Sequence, residues 1–401
     1  MTLLTKDATK CSYLDMLVNL IAERVAITKS MYDSAISQYN GITHALDVPE
    51  LAPYKPVLRI QGSMRLGTSV RSYLNEDDFD VDIIIELRKI PNGWTQKRVK
   101  DLILQHLLNH HVYGSMIKNK DGGRRCVTVV YANNSHVDVL PCVVSDSYIN
   151  AIEMRSQDFS SFLLDITDKK HPGYKTEVNR SKWYHSNPIG YADWFHTIAI
   201  KNEIKHKSAL MVRAEIEKFP SYKEPCDKNI LQKIIMLLKR HRDMMMGDDE
   251  DKPVSILLTT LATKAYDKAP IAGIFATLCW VVEHMNEEIL NQCGKRVVLN
   301  PANPLENFAD KWPEKPRKQE QYFKWYNQLV ADIQSIQQIE GTTLVSKLKG
   351  MFGEKAVINA KEEEGRRAHQ FIRSKELSMS ANGCWNTGEG KTAKPHTFYE
   401  E

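Results

Sequence analysis

The chain has 401 residues, with 54 Lys plus Arg against 50 Asp plus Glu and a formal charge of +4, so no whole-chain electrostatic field argues for bulk nucleic-acid binding. A hydrophobic share of 42% supports a real core, either two packed lobes or one elaborated domain. No run of about 18 apolar residues occurs, and the start MTLLTKDATKCSYLD lacks the basic and apolar regions of a signal peptide; a folded, soluble, cytoplasmic protein without membrane contact is expected.

The seven cysteines are scattered and never form a C-x-x-C pair, which reads as reduced structural thiols. A zinc site from Cys279, His284 and Cys293 would match no common ligand spacing. Two basic clusters, Lys118-Lys120-Arg124-Arg125 and Lys239 to Arg242, read as solvated faces.

In chain order, apolar positions from Leu14 to Tyr39 follow a helical stripe, predicting one long helix over about Tyr13 to Tyr39 that ends at Asn40-Gly41 and the prolines Pro49, Pro53 and Pro56. Val57 to Gln61 reads as a short strand running into Gly62-Ser63. A glycine there lets backbone approach a ligand, and a helix starting near Met64 would point free N–H groups at an anion; ordinary capping is the plainer alternative. The acidic run Asn75 to Asp78 reads as a solvated loop, with no catalytic role for Asp77 or Asp78.

The stretch from Phe79 to Leu87, FDVDIIIEL, is the most informative. In a strand successive side chains alternate, so Asp80 and Asp82 share one face while Val81 and Ile83 take the other. Two neighbouring carboxylates at the edge of a buried strand repel each other unless a cation lies between them. After Pro91, a helix over about Thr95 to Leu108 is expected to pack on the sheet, followed by a hairpin of Arg124–Tyr131 and His136–Val144. Asp138 interrupts the apolar pattern HVDVLPCVV; it is either a hydrogen-bonded structural aspartate or a third carboxylate beside Asp80 and Asp82. Three such carboxylates can hold two Mg²⁺ ions. His136 reads as a satisfied strand histidine.

Beyond Tyr184 the composition turns helical. Ser186 to Phe195 (SNPIGYADWF) reads as the entrance to a second lobe, with Trp194 and Phe195 packed in a hinge. Helices are predicted over about Asn229–Met245, from Ser255 (as N-cap) through SILLTTLATKAY, Ile271–Leu290, Gln319–Gln338 and Leu344–Ala360; the tail from Ser380 offers little to bury and is expected to be mobile.

Gly62-Ser63, Asp80-Val81-Asp82 and Asp138 together resemble the nucleotidyltransferase superfamily of the DNA polymerase β type. S-N-P-x-G-Y-x-x-W-F, L-L-K-R-H-R-D (Leu237 to Asp243), K-P-x-S-I-L-L-T-T-L (Lys252 to Leu261) and N-P-x-N-P-x-E-N-F-A-D-K-W (Asn300 to Trp312) make the chain most similar to the bacterial cyclic GMP-AMP synthase-like CD-NTases, over about residues 10 to 375. The resemblance implies an α+β fold: a mixed-sheet catalytic lobe with a long N-terminal helix, a helical second lobe, and the active site in the cleft between them. Its implied divisions are a spine helix at 1–45, catalytic core at 46–183, helical lobe at 184–375 and tail at 376–401.

The same likeness implies that Asp80, Asp82 and Asp138 hold two Mg²⁺ ions, with Mn²⁺ able to substitute, and that Asp138 orients or deprotonates the acceptor hydroxyl. Gln61, Gly62 and Ser63 would bind the nucleotide, the latter two at the β- and γ-phosphates, while Lys239 and Ser255 complete the triphosphate grip. The implied substrates are ribonucleoside triphosphates, ATP with GTP or a pyrimidine nucleotide as alternatives. The implied product is a cyclic di- or trinucleotide for anti-phage signalling of the CBASS type, acting through a downstream effector and with a regulatory partner. Some relatives end on a small residue that is conjugated to other proteins; this chain ends Phe398-Tyr399-Glu400-Glu401, a departure from that pattern. A linear oligonucleotide or RNA-tailing enzyme and a catalytically silent nucleotide-binding module are the competing readings, weakened by the near-neutral charge and the intact carboxylate set respectively.

Overall fold

The computed structural model describes residues 3, 7–73, 79–133, 135–153, 161–200, 220–270, 272–373, 377–379, 385–387 and 391–392. Asp77, Asp78, Ile271 and most of the tail beyond residue 376, including Ser380, lie outside them. The N-terminal stripe is two helices rather than one: α1 (Ala8–Val25) and α2 (Lys29–Leu46). The break falls where Ala26 adopts extended backbone and the Thr28 hydroxyl accepts from the N–H of Met31, capping a new helix inside the apolar pattern. The two halves serve different cores. Leu14, Leu17 and Ile21 of α1 pack among the C-terminal helices, whereas Ala35, Tyr39 and Ile42 of α2 pack on the sheet.

The first half of the chain then supplies β1 (Pro56–Gln61), α3 (Gly62–Leu66), β2 (Asp80–Leu87), α4 (Gln96–Asn109), β3 (Val127–Val130), β4 (His136–Val144), α5 (Asp146–Glu153), β5 (Leu164–Ile166) and β6 (Tyr184–Ser186). Their six-stranded sheet has the order β1-β2-β4-β5-β6, with β3 also paired to β4. It is mixed, as expected: β2 and β4 run parallel while β1 pairs antiparallel to β2 and β3 to β4. One face, with Val81, Ile83, Val137 and Val139, is covered by α2 and α4. The other carries Ile84, Leu140, Cys142 and Val144 against Tyr148 of α5.

The second half is mainly helical: α6 (Pro188–Ala199), α7 (Ile230–Met246), α8 (Ser255–Asp267), α9 (Ile274–His284), short strands β7 (Leu290–Gln292), β8 (Lys295–Val297), β9 (Leu299–Asn300) and β10 (Asn303–Asn307), then α10 (Pro316–Gln338), α11 (Gly341–Phe352) and α12 (Glu354–Arg373). The single helix predicted over 344–360 is divided at Gly353, whose φ of +94° only glycine adopts readily. Asn187 caps α6 through the N–H of Gly190, with Pro188 in the first turn and Phe195 fully buried. Residues 239–242 are not a solvated face: Lys239, Arg240, His241 and Arg242 are all buried, because α7 runs through the middle of the lobe. Ser255 is the first helical residue of α8, and Val254 occupies the cap position. Among the described residues no helix is long and apolar enough to cross a membrane.

Beneath the sheet, Glu86 of β2 is fully buried and answered by Arg59 of β1, whose Nε donates to Oε1 at 3.0 Å, with the Tyr148 hydroxyl 3.4 Å from Oε2. Removing one partner of such a pair strands a buried charge, whereas replacing both with apolar groups is often tolerated. Arg59→Met is therefore expected to destabilise the fold by about 3–5 kcal/mol in urea unfolding, and Arg59→Met/Glu86→Leu to recover most of it.

Candidate active site

The register of β1, β2 and β4 sets the site. Asp82 lies opposite Gln61 on one side and Asp138 on the other, and Asp80 lies opposite His136. All three carboxylates therefore emerge on the face that carries Ile84 and Leu140 further along. Asp80 is exposed and Asp82 and Asp138 are partly buried. The Asp82 carboxyl is pushed up to about 7, first by burial and then by Asp80 and Asp138, with Lys239 opposing. His136 Nδ1 stands 3.7 Å from Asp80 Oδ1, and the Thr128 hydroxyl of β3 donates to Asp138 Oδ1.

Gly62 begins α3 with φ +64°, and a Cβ on it would fall 1.9 Å from Asp82 Oδ2. Only glycine lets the turn pass this close to the carboxylate. Ser63 Oγ lies 2.9 Å from Ser69 Oγ, so the serine predicted from the Gly-Ser pair has a hydroxyl neighbour that sequence reasoning missed. The only local hint of it was the second hydroxyl pair, Thr68-Ser69, just after Gly67.

The segment leaving α3 is held by the helical lobe, one carbonyl after another. His196 Nε2 of α6 lies 3.2 Å from the Arg65 carbonyl, Gln232 Nε2 of α7 donates to Leu66 O at 2.8 Å, Lys228 Nζ to Gly67 O at 2.9 Å, and Lys239 Nζ to Thr68 O at 3.1 Å. Lys239 also reaches the Thr68 hydroxyl at 3.2 Å. Its ammonium is pushed down to about 7 by burial and by Arg242, against the opposing pull of Asp243, Asp82 and Asp80. Gln232 is itself fixed, because its Oε1 accepts from the N–H of Asn229 in a capping box. Asn229 and Gln232 have capping-box spacing in the sequence; the reach of the amide across to Leu66 was not legible there.

Ser255 stands apart from this row. Its Oγ accepts from Arg242 Nη1 at 2.9 Å, and the same guanidinium contacts Pro253 O and Asp243. Of the predicted basic residues elsewhere, Arg124 and Arg125 converge on the buried Asp168 and have a structural task. The described residues contain no group of three His, Cys, Asp or Glu side chains drawn together to hold a metal ion, which covers Cys279, His284 and Cys293 as well as the strand carboxylates. Of the carboxylates, Asp80 faces His136 and Asp138 accepts from Thr128. Their backbone positions adjoin, and an all-oxygen donor set with an acid held near neutrality suits a hard divalent cation.

Residues 13–198 match the family model described as the Second Messenger Oligonucleotide or Dinucleotide Synthetase domain. A c-di-GMP synthase of Roseivirga ehrenbergii is 27% identical over 94% of this chain and 95% of its own length. The cyclic dinucleotide synthase CdnG of Bradyrhizobium diazoefficiens is 20% identical over 92% of this chain and 88% of its own. The chain is similar to bacterial CD-NTases of the cGAS/DncV-like type. Solved structures carry the same fold: CdnG in complex with GTP superposes with a TM-score of 0.63 at 19% identity, covering 88% of this chain and 99% of that one, and Vibrio cholerae DncV with 0.51 at 15% identity, covering 88% and 89%. Like them, this chain has an α+β architecture.

The row of carbonyl contacts makes the Gly62-Ser63 turn dependent on the helical lobe. Gln232→Leu removes a hydrogen bond to a buried carbonyl, worth about 1–2 kcal/mol, and is expected to raise the nucleotide KM roughly 5- to 30-fold with a smaller change in kcat, read by steady-state kinetics with the fold checked by circular dichroism.

Proposed function

We propose that this chain is a CD-NTase, a nucleotidyltransferase that joins ribonucleoside triphosphates, GTP foremost, into a cyclic dinucleotide that serves as an anti-phage, CBASS-type signal. The observation that carries the reading is the placement of Asp82 in register between Gln61-Gly62 and Asp138. Support for guanine comes from the c-di-GMP synthase relative, which aligns along 94% of this chain.

In this reading Gly62 and Ser63 receive the β- and γ-phosphates of the donor, with Gln61 beside them and Lys239 and Ser255 completing the grip from the second lobe. Lys239 acts in part through Thr68, whose carbonyl it holds, and in part as a charge near the carboxylates. Asp138 accepts the proton of the acceptor ribose hydroxyl. The hydroxyl oxygen forms a bond to the donor α-phosphorus as the bond to the β-phosphate oxygen breaks in line, and pyrophosphate leaves. A second transfer between the remaining hydroxyl and triphosphate closes the ring and releases a second pyrophosphate. Asp80, Asp82 and Asp138 would hold the divalent cations, Mg²⁺ with Mn²⁺ as substitute, whose bound chemistry is to neutralise charge on the transferring phosphoryl group. The chain itself supplies position and a partly dry site, which account for most of the acceleration in phosphoryl-group chemistry. The product would act through a downstream effector, under a CBASS regulatory partner.

Incubating the protein with the four ribonucleoside triphosphates and Mg²⁺ or Mn²⁺, then phosphatase, is expected to leave a phosphatase-resistant cyclic dinucleotide by mass spectrometry. Linear phosphorylated chains would replace this reading with the oligonucleotide-tailing one. Asp80→Asn, Asp82→Asn and Asp138→Asn should each lower the rate by roughly two orders of magnitude or more.

A pH dependence follows from Asp82. Its folded value of about 7 stands above the 3.8 of the free group, so the folded apoprotein keeps a proton that the unfolded chain has released. This group's contribution to stability is therefore lost as pH rises between those values. A cation must displace the same proton, so the rise in Tm caused by Mg²⁺ or Mn²⁺ should grow from about pH 6 to about pH 8. Lys239 titrates in the same window, and Asp82→Asn isolates the carboxyl: a metal response in that variant that still grows with pH would assign the effect elsewhere.

A further inference from the structure

A single cross-strand row joins the carboxylates to the strands on either side of them. Gln61 of β1 lies opposite Asp82 of β2, Asp82 opposite Asp138 of β4, and Asp138 opposite Thr128 of β3. Directly opposed residues share a face of the sheet, so Thr128 closes the row at the end away from the Gly62 turn. Its neighbours Val127 and Val129 are fully buried on the opposite face, whereas Thr128 is half-buried on the face of the carboxylates. A β-branched side chain has few χ1 choices in a strand, so the backbone largely sets where this hydroxyl sits. It donates to Asp138 Oδ1, and among the described residues that is the one hydrogen bond the Asp138 carboxylate receives.

Two other aspartates of the same lobe show what a structural carboxylate looks like in this chain. Asp168, fully buried just after β5, accepts from Arg124 Nε at 2.8 Å and Nη2 at 2.7 Å, from Arg125 Nε at 2.8 Å and from the Lys170 N–H at 2.9 Å. Asp165 of β5 meets His185 Nδ1 at 2.9 Å and Arg180 Nη1 at 3.4 Å. Both have basic side chains as partners. Asp138 has, among the described residues, one neutral donor for a group whose ionised form offers about four lone-pair sites. A guanidinium or ammonium in place of Thr128 would cancel the charge that a divalent cation needs and would repel the cation itself. A hydroxyl fixes the plane of the carboxylate and leaves its charge in place.

We propose, on the reading of Asp138 as the group that takes the acceptor's proton, that Thr128 is a positioning residue for the transfer step: its hydroxyl holds Asp138 Oδ1 and leaves Oδ2 to the cation and the acceptor hydroxyl. Thr128 touches no substrate and acts through Asp138 alone. The last torsion of an aspartate is broad and roughly two-fold, so a carboxylate without this bond averages over orientations and exchanges its two oxygens. Holding one oxygen removes that freedom before the substrate arrives. Groups that orient a metal-ligating carboxylate in this way are typically worth about 10- to 100-fold in metal affinity or rate.

The test uses the full chain and Mn²⁺, with binding to the nucleotide-free protein read by isothermal titration calorimetry and turnover of GTP read separately. Thr128→Val keeps the β-branched shape and removes the donor; Thr128→Ser keeps the donor. Thr128→Val is expected to weaken Mn²⁺ roughly ten-fold and to lower kcat about 10- to 100-fold, with the nucleotide KM changed less than about three-fold. Thr128→Ser should stay within about three-fold of the parent on all three. In an Asp138→Asn background, where Asp80 and Asp82 remain, Thr128→Val should change Mn²⁺ affinity no further. Parental Mn²⁺ affinity and kcat in Thr128→Val, an equal loss in Thr128→Ser, or a further loss in the Asp138→Asn background would each overturn the proposal. So would a Thr128→Val protein that is less stable in urea with unchanged Mn²⁺ affinity, which would make Thr128 a structural residue. Parental turnover in Asp138→Asn would remove the role of Asp138 itself, and with it the proposal; parental Mn²⁺ binding in Thr128→Val alongside a dead Asp138→Asn would remove only the role of Thr128.

Discussion

The structure depends on how the short stretch from Arg65 to Thr68 is fastened. α3 is only five residues long and closes at Gly67, so its last carbonyls have no partners within a helix of their own. They lie where water is scarce, and an unmet buried carbonyl there would cost about 1–3 kcal/mol. His196, Gln232, Lys228 and Lys239 meet them in sequence, all from the helical half of the chain. The turn that brings Gly62 against Asp82 is thus part of an interface rather than a free loop. Strand register places the carboxylates, and the helical lobe places the turn that faces them.

One face of β2 shows which charges the protein settles for itself. Asp80, Asp82, Ile84 and Glu86 follow one another on that face. The deepest acid, Glu86, is fully buried yet has Arg59 and Tyr148 as partners. Among the described residues Asp82 has no such ion pair; the charge that opposes its upward shift is Lys239, whose own charge burial disfavours. Two groups of opposite sign, each held near neutrality by desolvation, do not stabilise the fold as a formed ion pair would. That contrasts with the finished pair four residues along the same strand, where Glu86 is met by Arg59.

Much of this was legible in the sequence because it is local. The period-two pattern in Phe79–Leu87 and His136–Val144 fixes which side chains share a face, and the glycine at position 62 announces a close approach. Other features are not local. The helical stripe across residues 14–39 ignores the Thr28 cap, because both helices bury apolar residues and only the cores they serve differ. Lys239 to Arg242 look like a surface cluster until α7 is seen to cross the lobe, with each side chain meeting a carbonyl or carboxylate from another segment. Gln232, Lys228 and His196 are ordinary residues in sequence; their roles arise from backbone carbonyls, which carry no sequence signature.

The same strap also touches the break between the N-terminal helices. Val70 pairs with Ala26 in an isolated bridge, and the N–H of Arg71 donates to Val25 O at 3.0 Å. Ala26 is the point at which the chain passes from the helical core to the sheet core. Residues 65–71 are therefore fastened on one side to α6 and α7 and on the other to the joint between α1 and α2. A relative movement of the two lobes that slid along this strap would break several buried hydrogen bonds at once.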